Sequence, residues 1–208
     1  MIRVENLGDC CRITLARPEK ANALTQEMLE SLALAANEAA ANGAKVLILT
    51  GEGKVFSAGA DLDGMKAGLG LSPAWEAASG AIAAFPGLTI AALNGTLAGG
   101  AMGVALASDL RIAVPSAQFF YPVMRLGYRP QPSDPGRLAA LVGPSRAKMI
   151  LLAGQRIDAE TALAWGLIDR ICPPDALNDT AMSLAEQALA ANPGHVAALK
   201  RMTQGEQP

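Results

Sequence analysis

Residues 89–101 read Thr89-Ile90-Ala91-Ala92-Leu93-Asn94-Gly95-Thr96-Leu97-Ala98-Gly99-Gly100-Ala101, an apolar run of strand length that breaks at Asn94-Gly95 and runs into two adjacent glycines. Residues 100–107 are then small and apolar all round, the pattern of a helix buried on every side. A second junction of the same kind stands upstream: Lys45-Val46-Leu47-Ile48-Leu49-Thr50 reads as a buried strand and leads into Gly51-Glu52-Gly53-Lys54-Val55-Phe56-Ser57-Ala58-Gly59-Ala60-Asp61. At junctions lined by Gly and Ala a ligand can approach the main chain, and backbone N–H groups become the functional groups. An N–H in the first turn of a helix lacks an intrahelical acceptor and is reinforced by the helix dipole, which suits a carbonyl oxygen that gains negative charge. Gly100 offers such an N–H, and one more from the other loop completes a pair.

Working outward, residues 12–15 read as a strand and Arg17-Pro18-Glu19-Lys20 as a turn. A helix starts near Thr25, with Met28, Leu32, Ala36 and Ala39 at helical spacing and Asn42-Gly43 closing it. A weaker helix is expected over 74–84, short strands over 110–114 and 117–120, and mainly helix from Ser133 onward. Strand and helix alternate without G-x-G-x-x-G or G-x-x-x-x-G-K-[ST], so the class is α/β but neither a dinucleotide-binding nor a P-loop fold.

The 208 residues are 51% hydrophobic, enough for one domain with a sizeable core. Lys and Arg number 17 against 19 Asp and Glu, so no basic field exists to hold nucleic acid or an anionic membrane, and a small-molecule partner is expected. Cys10, Cys11 and Cys172 show no metal-ligand spacing and read as free thiols, with no metal. The most apolar segment, 91–114, is interrupted by glycines, Ser108 and Asp109, which points to a soluble, cytoplasmic protein.

Three stretches together carry a family resemblance: Arg17-Pro18-Glu19-Lys20-Ala21-Asn22-Ala23-Leu24, Phe56-Ser57-Ala58-Gly59-Ala60-Asp61-Leu62 and Asn94-Gly95-Thr96-Leu97-Ala98-Gly99-Gly100-Ala101. In this order they resemble the motifs of the enoyl-CoA hydratase/isomerase (crotonase) family, and Ser108-Asp109-Leu110-Arg111-Ile112-Ala113 with the stretch 154–168 extends the likeness. The resemblance implies a spiral of ββα units over residues 1–140 that binds acyl-CoA, then a shortened C-terminal helical region over 141–208. It implies backbone oxyanion donors at Ala60 and Gly100. Lys20, Ala21, Asn22, Ala58, Asp61 and Leu62 would then lie along the adenine and pantetheine, with Lys20 near a phosphate or simply solvated and Asp61 a cap or loop brace. Coenzyme A enters as part of the substrate thioester, with no separate cofactor. The implied assembly is a homotrimer or dimer of trimers. Because the chain stops at Pro208, where relatives continue through helices that complete assembly and cover the site, that assembly is left open and a wetter acyl site is expected.

Hydratases of this family use two glutamates, and by the same resemblance their positions hold Gly103 and Val123. Standard hydration, which needs a base for the water and an acid for the α carbon, is then expected to be slow. Asp134, in Gln131-Pro132-Ser133-Asp134-Pro135, is either a relocated acid/base or a helix cap. Glu76 is a second candidate or a solvated helix residue, Tyr121 and Tyr128 are proton donors or space fillers, and His195 and Cys172 read as structural. Three functions remain open: an enzyme stabilising a thioester enolate, a catalytically inactive acyl-CoA-binding protein, and a structural module with a vestigial pocket.

Overall fold

The computed structural model describes residues 1–203 and 205. The chain opens with a hairpin of β1 (Ile2–Leu7) and β2 (Cys10–Leu15), and then α1 (Gln26–Ala41) begins after Thr25, whose Oγ1 accepts the Met28 N–H at 3.2 Å. Three turns of a spiral follow. The first runs through β3 (Val46–Gly51) and β4 (Val55–Ser57) to α2 (Leu62–Lys66) and α3 (Ala74–Ala83). The second is β5 (Leu88–Leu93), β6 (Thr96–Ala98) and α4 (Ala101–Leu106), and the third is β7 (Leu110–Ala113), β8 (Gln118–Phe120) and α5 (Val123–Leu126). In each turn the first strand joins one sheet and the second strand joins another, which is the expected spiral of ββα units.

Beyond it come α6 (Asp134–Val142), α7 (Pro144–Leu151), β9 (Ile157–Asp158), α8 (Ala159–Trp165), β10 (Arg170–Ile171), α9 (Leu177–Ala190) and α10 (Pro193–Thr203). The larger sheet has the order β1-β2-β3-β5-β7-β10 and the smaller β4-β6-β8-β9. The region expected to be helical therefore returns a strand to each sheet. Two-residue strands are too short to show any alternation in sequence. The last residues of that region lie outside those described.

The central strands of the larger sheet pair in parallel and are covered on both faces, which is why Val46, Leu47, Ile48, Leu49 and Thr50 are all buried. Helix α1 packs its Met28, Leu29, Leu32 and Ala36 inward against α3, and α9 lies on β3 and β5. Helix α4 is buried along its whole length between α3 and α6, and its small residues allow both neighbours to come close. No helix among the described residues is long and apolar enough to cross a membrane.

Asp109, just after α4, ties α10 to the sheet. Its Oδ2 accepts from the Thr89 N–H at 2.8 Å, the Thr89 hydroxyl at 3.0 Å and Lys200 Nζ at 2.8 Å. Asp109→Ala leaves the buried Thr89 amide without its acceptor and is expected to cost about 1–3 kcal/mol. The effect should be read as a lower urea midpoint with an unchanged slope.

Candidate active site

The loop between β2 and α1 is built around Asn22, which is fully buried. Ala21 (φ 49°) and Asn22 (φ 53°) are both left-handed, a conformation that non-glycine residues adopt at a cost. The Asn22 side chain holds it in place: Oδ1 accepts the Arg17 N–H at 2.8 Å, while Nδ2 donates to Glu52 O at 2.9 Å and Val55 O at 2.7 Å. The Asn22 carbonyl accepts the Ser57 hydroxyl at 2.8 Å, and the Ala21 carbonyl accepts the Ala58 N–H at 2.9 Å. The first and second loops are thereby stitched together. Asp61 caps α2 through the Asp63 and Gly64 amides and pairs with Arg17 at 2.7 Å. The Gly64 N–H foremost, then the Arg17 guanidinium, hold its carboxyl below the usual range.

The second and third loops meet main chain to main chain. A Cβ on Gly59 (φ 99°) would lie 2.9 Å from the Ala98 carbonyl oxygen and 3.2 Å from Gly99 Cα, so no side chain fits there. Most amides around this contact are taken. Gly59 N–H donates to Ser57 Oγ (3.2 Å), Asp61 N–H to Leu24 O (2.9 Å) and Gly99 N–H to Phe120 O (3.1 Å). The Ala60 and Gly100 N–H groups donate to no acceptor among the described residues. Gly100 stands immediately before α4 with helical φ −59°, ψ −22°.

Ala60 and Gly100 line one cavity of about 460 Å³, together with Ala58 and Leu62. Met65, Trp75, Tyr121, Val123 and Gln131 also line it, as do Lys66, Tyr128 and Arg129. Lys20, Ala21, Asn22 and Asp61 stand outside this wall: Lys20 is exposed, and the other three brace the loops behind it. Trp75 is a cavity-lining residue that the motifs in the sequence do not mark. Its ring covers Gly100 so closely that a Cβ there would lie 2.9 Å from the indole, whose Nε1–H donates to Leu69 O at 2.9 Å. A lone buried tryptophan in a helix carries no sequence signal that separates a site lining from a core residue.

Asp134 is the first residue of α6 and is 1% exposed. It does not cap that helix. The amide and hydroxyl of the preceding Ser133 go instead to the Glu76 carboxylate, at 3.1 and 2.9 Å, so Glu76 is a bridge from α3 to α6 rather than a solvated residue. Asp134 Oδ2 accepts the Tyr121 hydroxyl at 2.8 Å, and Oδ1 is buried without a partner among the described residues. A Cβ on Gly103 would intrude on this carboxylate, lying 3.0 Å from its Cγ. Burial, reinforced by the Glu76 charge and opposed by Tyr121 and Arg137, pushes the Asp134 carboxyl up to about 6. Burial and the neighbouring Asp134 charge also push the Tyr121 hydroxyl well up. His195 is exposed on α10 and Cys172 is buried.

Residues 6–206 match the family model described as enoyl-CoA hydratase/isomerase. The chain is 34% identical over 171 residues to a protein named probable enoyl-CoA hydratase echA6 from Mycobacterium tuberculosis, covering 82% of this chain and 70% of that one. It is 37% identical over 206 residues to the carnitinyl-CoA dehydratase of Citrobacter koseri, covering 94% and 77%. Among solved structures, Pseudomonas aeruginosa DspI superposes with a TM-score of 0.92 at 32% identity, covering 98% of this chain and 86% of the other. The enoyl-CoA hydratase from Bacillus anthracis gives 0.90 at 31% identity, covering 98% and 82%.

Two outcomes follow from this geometry. Asn22→Ala strands the Arg17 amide and the Glu52 carbonyl and leaves the Val55 carbonyl only its longer bond from Asn94 Nδ2 (3.3 Å), and it is expected to destabilise the protein by about 2–3 kcal/mol, measured by urea unfolding. The Asp134 carboxyl, raised from the ordinary 3.8 to about 6, favours the fold while neutral, so its contribution is complete below pH 3.8 and is lost as pH rises through 6. Relative to Asp134→Asn, the native protein should lose about 2 kcal/mol between pH 4.5 and pH 8. Parallel pH–stability curves for the two proteins would refute this.

Proposed function

The chain belongs to the enoyl-CoA hydratase/isomerase family, and we propose that it binds an acyl-CoA thioester and stabilises the enolate of that thioester at the Ala60 and Gly100 amides. The observation that carries this reading is the pair of N–H groups, without acceptors among the described residues, in the wall of one cavity. Removing a proton from the α carbon of a thioester moves negative charge onto the carbonyl oxygen. Amide donors already aimed at that oxygen stabilise it without reorganisation, at roughly 2.7–4 kcal/mol per donor in other enzymes. Ala58 and Leu62 form the adjoining wall for the pantetheine, and Lys20 reaches a phosphate from the exposed turn. Ala21, Asn22 and Asp61 act by fixing the shape of the loops. Gly103 and Val123 occupy the positions where the family resemblance puts glutamates, so Asp134 is the acid/base group of a lyase or isomerase acting on the CoA thioester.

A second reading, an acyl-CoA-binding protein without catalysis, is favoured by one observation: Asp134 is 1% exposed, behind Tyr121. Calorimetric titration with acetyl-CoA, crotonyl-CoA, free CoA and the thioether S-ethyl-CoA tests the binding reading. A thioester whose carbonyl meets the two amides should bind about tenfold tighter than the thioether of equal length. Equal affinities would sink the amide assignment. Product analysis on crotonyl-CoA then separates the two readings, since turnover lost in Asp134→Asn marks an enzyme and saturable binding without turnover marks a silent binder.

A further inference from the structure

Gly100 and Gly103 are three residues apart and so share a face of the chain as it enters α4. The space where a side chain at 103 would begin is filled from α6 by the Asp134 carboxylate. A carboxylate thus stands one helical turn along from the Gly100 amide, although α4 itself carries no charged residue. One oxygen of that carboxylate is buried and unpartnered among the described residues, and the other takes the Tyr121 hydroxyl at 2.8 Å. Tyr121 in turn lines the same cavity as Ala60 and Gly100.

From this arrangement we propose that Tyr121 is the catalytic residue that meets the acyl α carbon, that Asp134 is the positioning residue that exchanges protons through it, and that glycine at 103 is the condition for both. The proposal rests on the acyl-CoA reading above. In the forward step the α C–H bond breaks and its proton passes to the Tyr121 oxygen, while the Tyr121 O–H proton passes to Asp134 Oδ2. The C–H electron pair stays on the acyl group as the enolate, held at the two amides, and Asp134 ends neutral. The reverse step returns a proton to the α carbon. Because its surroundings disfavour a phenolate, Tyr121 gives and takes a proton in one motion. The net change is exchange of α hydrogens with solvent, and no other reactant is needed. The charged groups bearing on the pair are Glu76 from α3 and Arg137 from α6.

The test is deuterium incorporation into butyryl-CoA in D₂O, followed by mass spectrometry, with binding measured by calorimetry on the same proteins. The native protein should label the α carbon at a rate that rises with pH through about 6. Tyr121→Phe and Asp134→Asn should bind butyryl-CoA within about threefold of native and lose at least about 100-fold in exchange. Asp134→Asn should also lose the pH dependence, which a purely structural role would not remove. Gly103→Ala, which intrudes on the carboxylate, should lower both stability and exchange, and adding Asp134→Gly should restore the stability without the exchange. Binding without exchange in the native protein, or undiminished exchange in Tyr121→Phe, overturns the proposal and leaves the acyl-CoA reading standing. Absence of binding removes both.

Discussion

Main chain lies directly against main chain where Gly59 meets Ala98 and Gly99, and the geometry of the site depends on that contact. It brings the residue after each glycine, Ala60 and Gly100, to one cavity, the first held by its bridge to Leu24 and the second by the start of α4. The sheets alone would not produce this. Strands β4 and β6 pair in parallel, but their register shifts between Val55 and Ser57, and beyond it the chain leaves the ladder. Asn22 supplies the support from behind. Two left-handed residues cost of order 1–3 kcal/mol each, and the hydrogen bonds gathered by the Asn22 side chain and carbonyl, worth about 1 kcal/mol apiece, offset that strain.

Two aspartates near this contact are driven in opposite directions by their surroundings. Asp61 meets amides and a guanidinium and is held as an anion that braces the loops. Asp134 meets apolar surroundings, a half-buried Glu76 and only one hydroxyl, and is held near the pH at which it can both take and release a proton. Divergent environments for chemically identical groups separate a structural carboxylate from one poised for proton transfer. The Tyr121 hydrogen bond foremost, and the Arg137 charge after it, oppose the rise at Asp134.

The parts of this fold that rest on long periodic runs could be read from the sequence. The buried strand at 46–51, the amphipathic α1 starting near Thr25, and the all-buried α4 follow from apolar spacing and end within a residue or two of expectation. Strand β1 could not, because an edge strand with little burial shows no alternation, and β9 and β10 are too short for any pattern. The candidate site divides the same way. Glycine-rich junctions mark Gly100 and a partner amide in the loop of residues 51–61, since only small residues permit such close approach, and the family resemblance puts that partner at Ala60. The roles of Asp134 and Glu76 hinge on contacts across long sequence separations, and Asn22 shows its bracing function only when Glu52, Val55 and Ser57 are seen around it.

Helix α4 has no room for side chains of its own on the side that α6 approaches, so the chemistry of that face has to come from its neighbours. Helix α3 supplies it through consecutive residues. Trp75 packs its indole against the α carbon of Gly100, and Glu76 holds the Ser133 amide that sets where α6 begins and hence where Asp134 points. The packing of Gly100 and the anchor of the proposed proton-transfer group therefore belong to one helical turn. Any displacement of α3 would open the half-buried Gly100 further to water and shift Asp134 together, weakening the amide contribution and the proton relay in the same event.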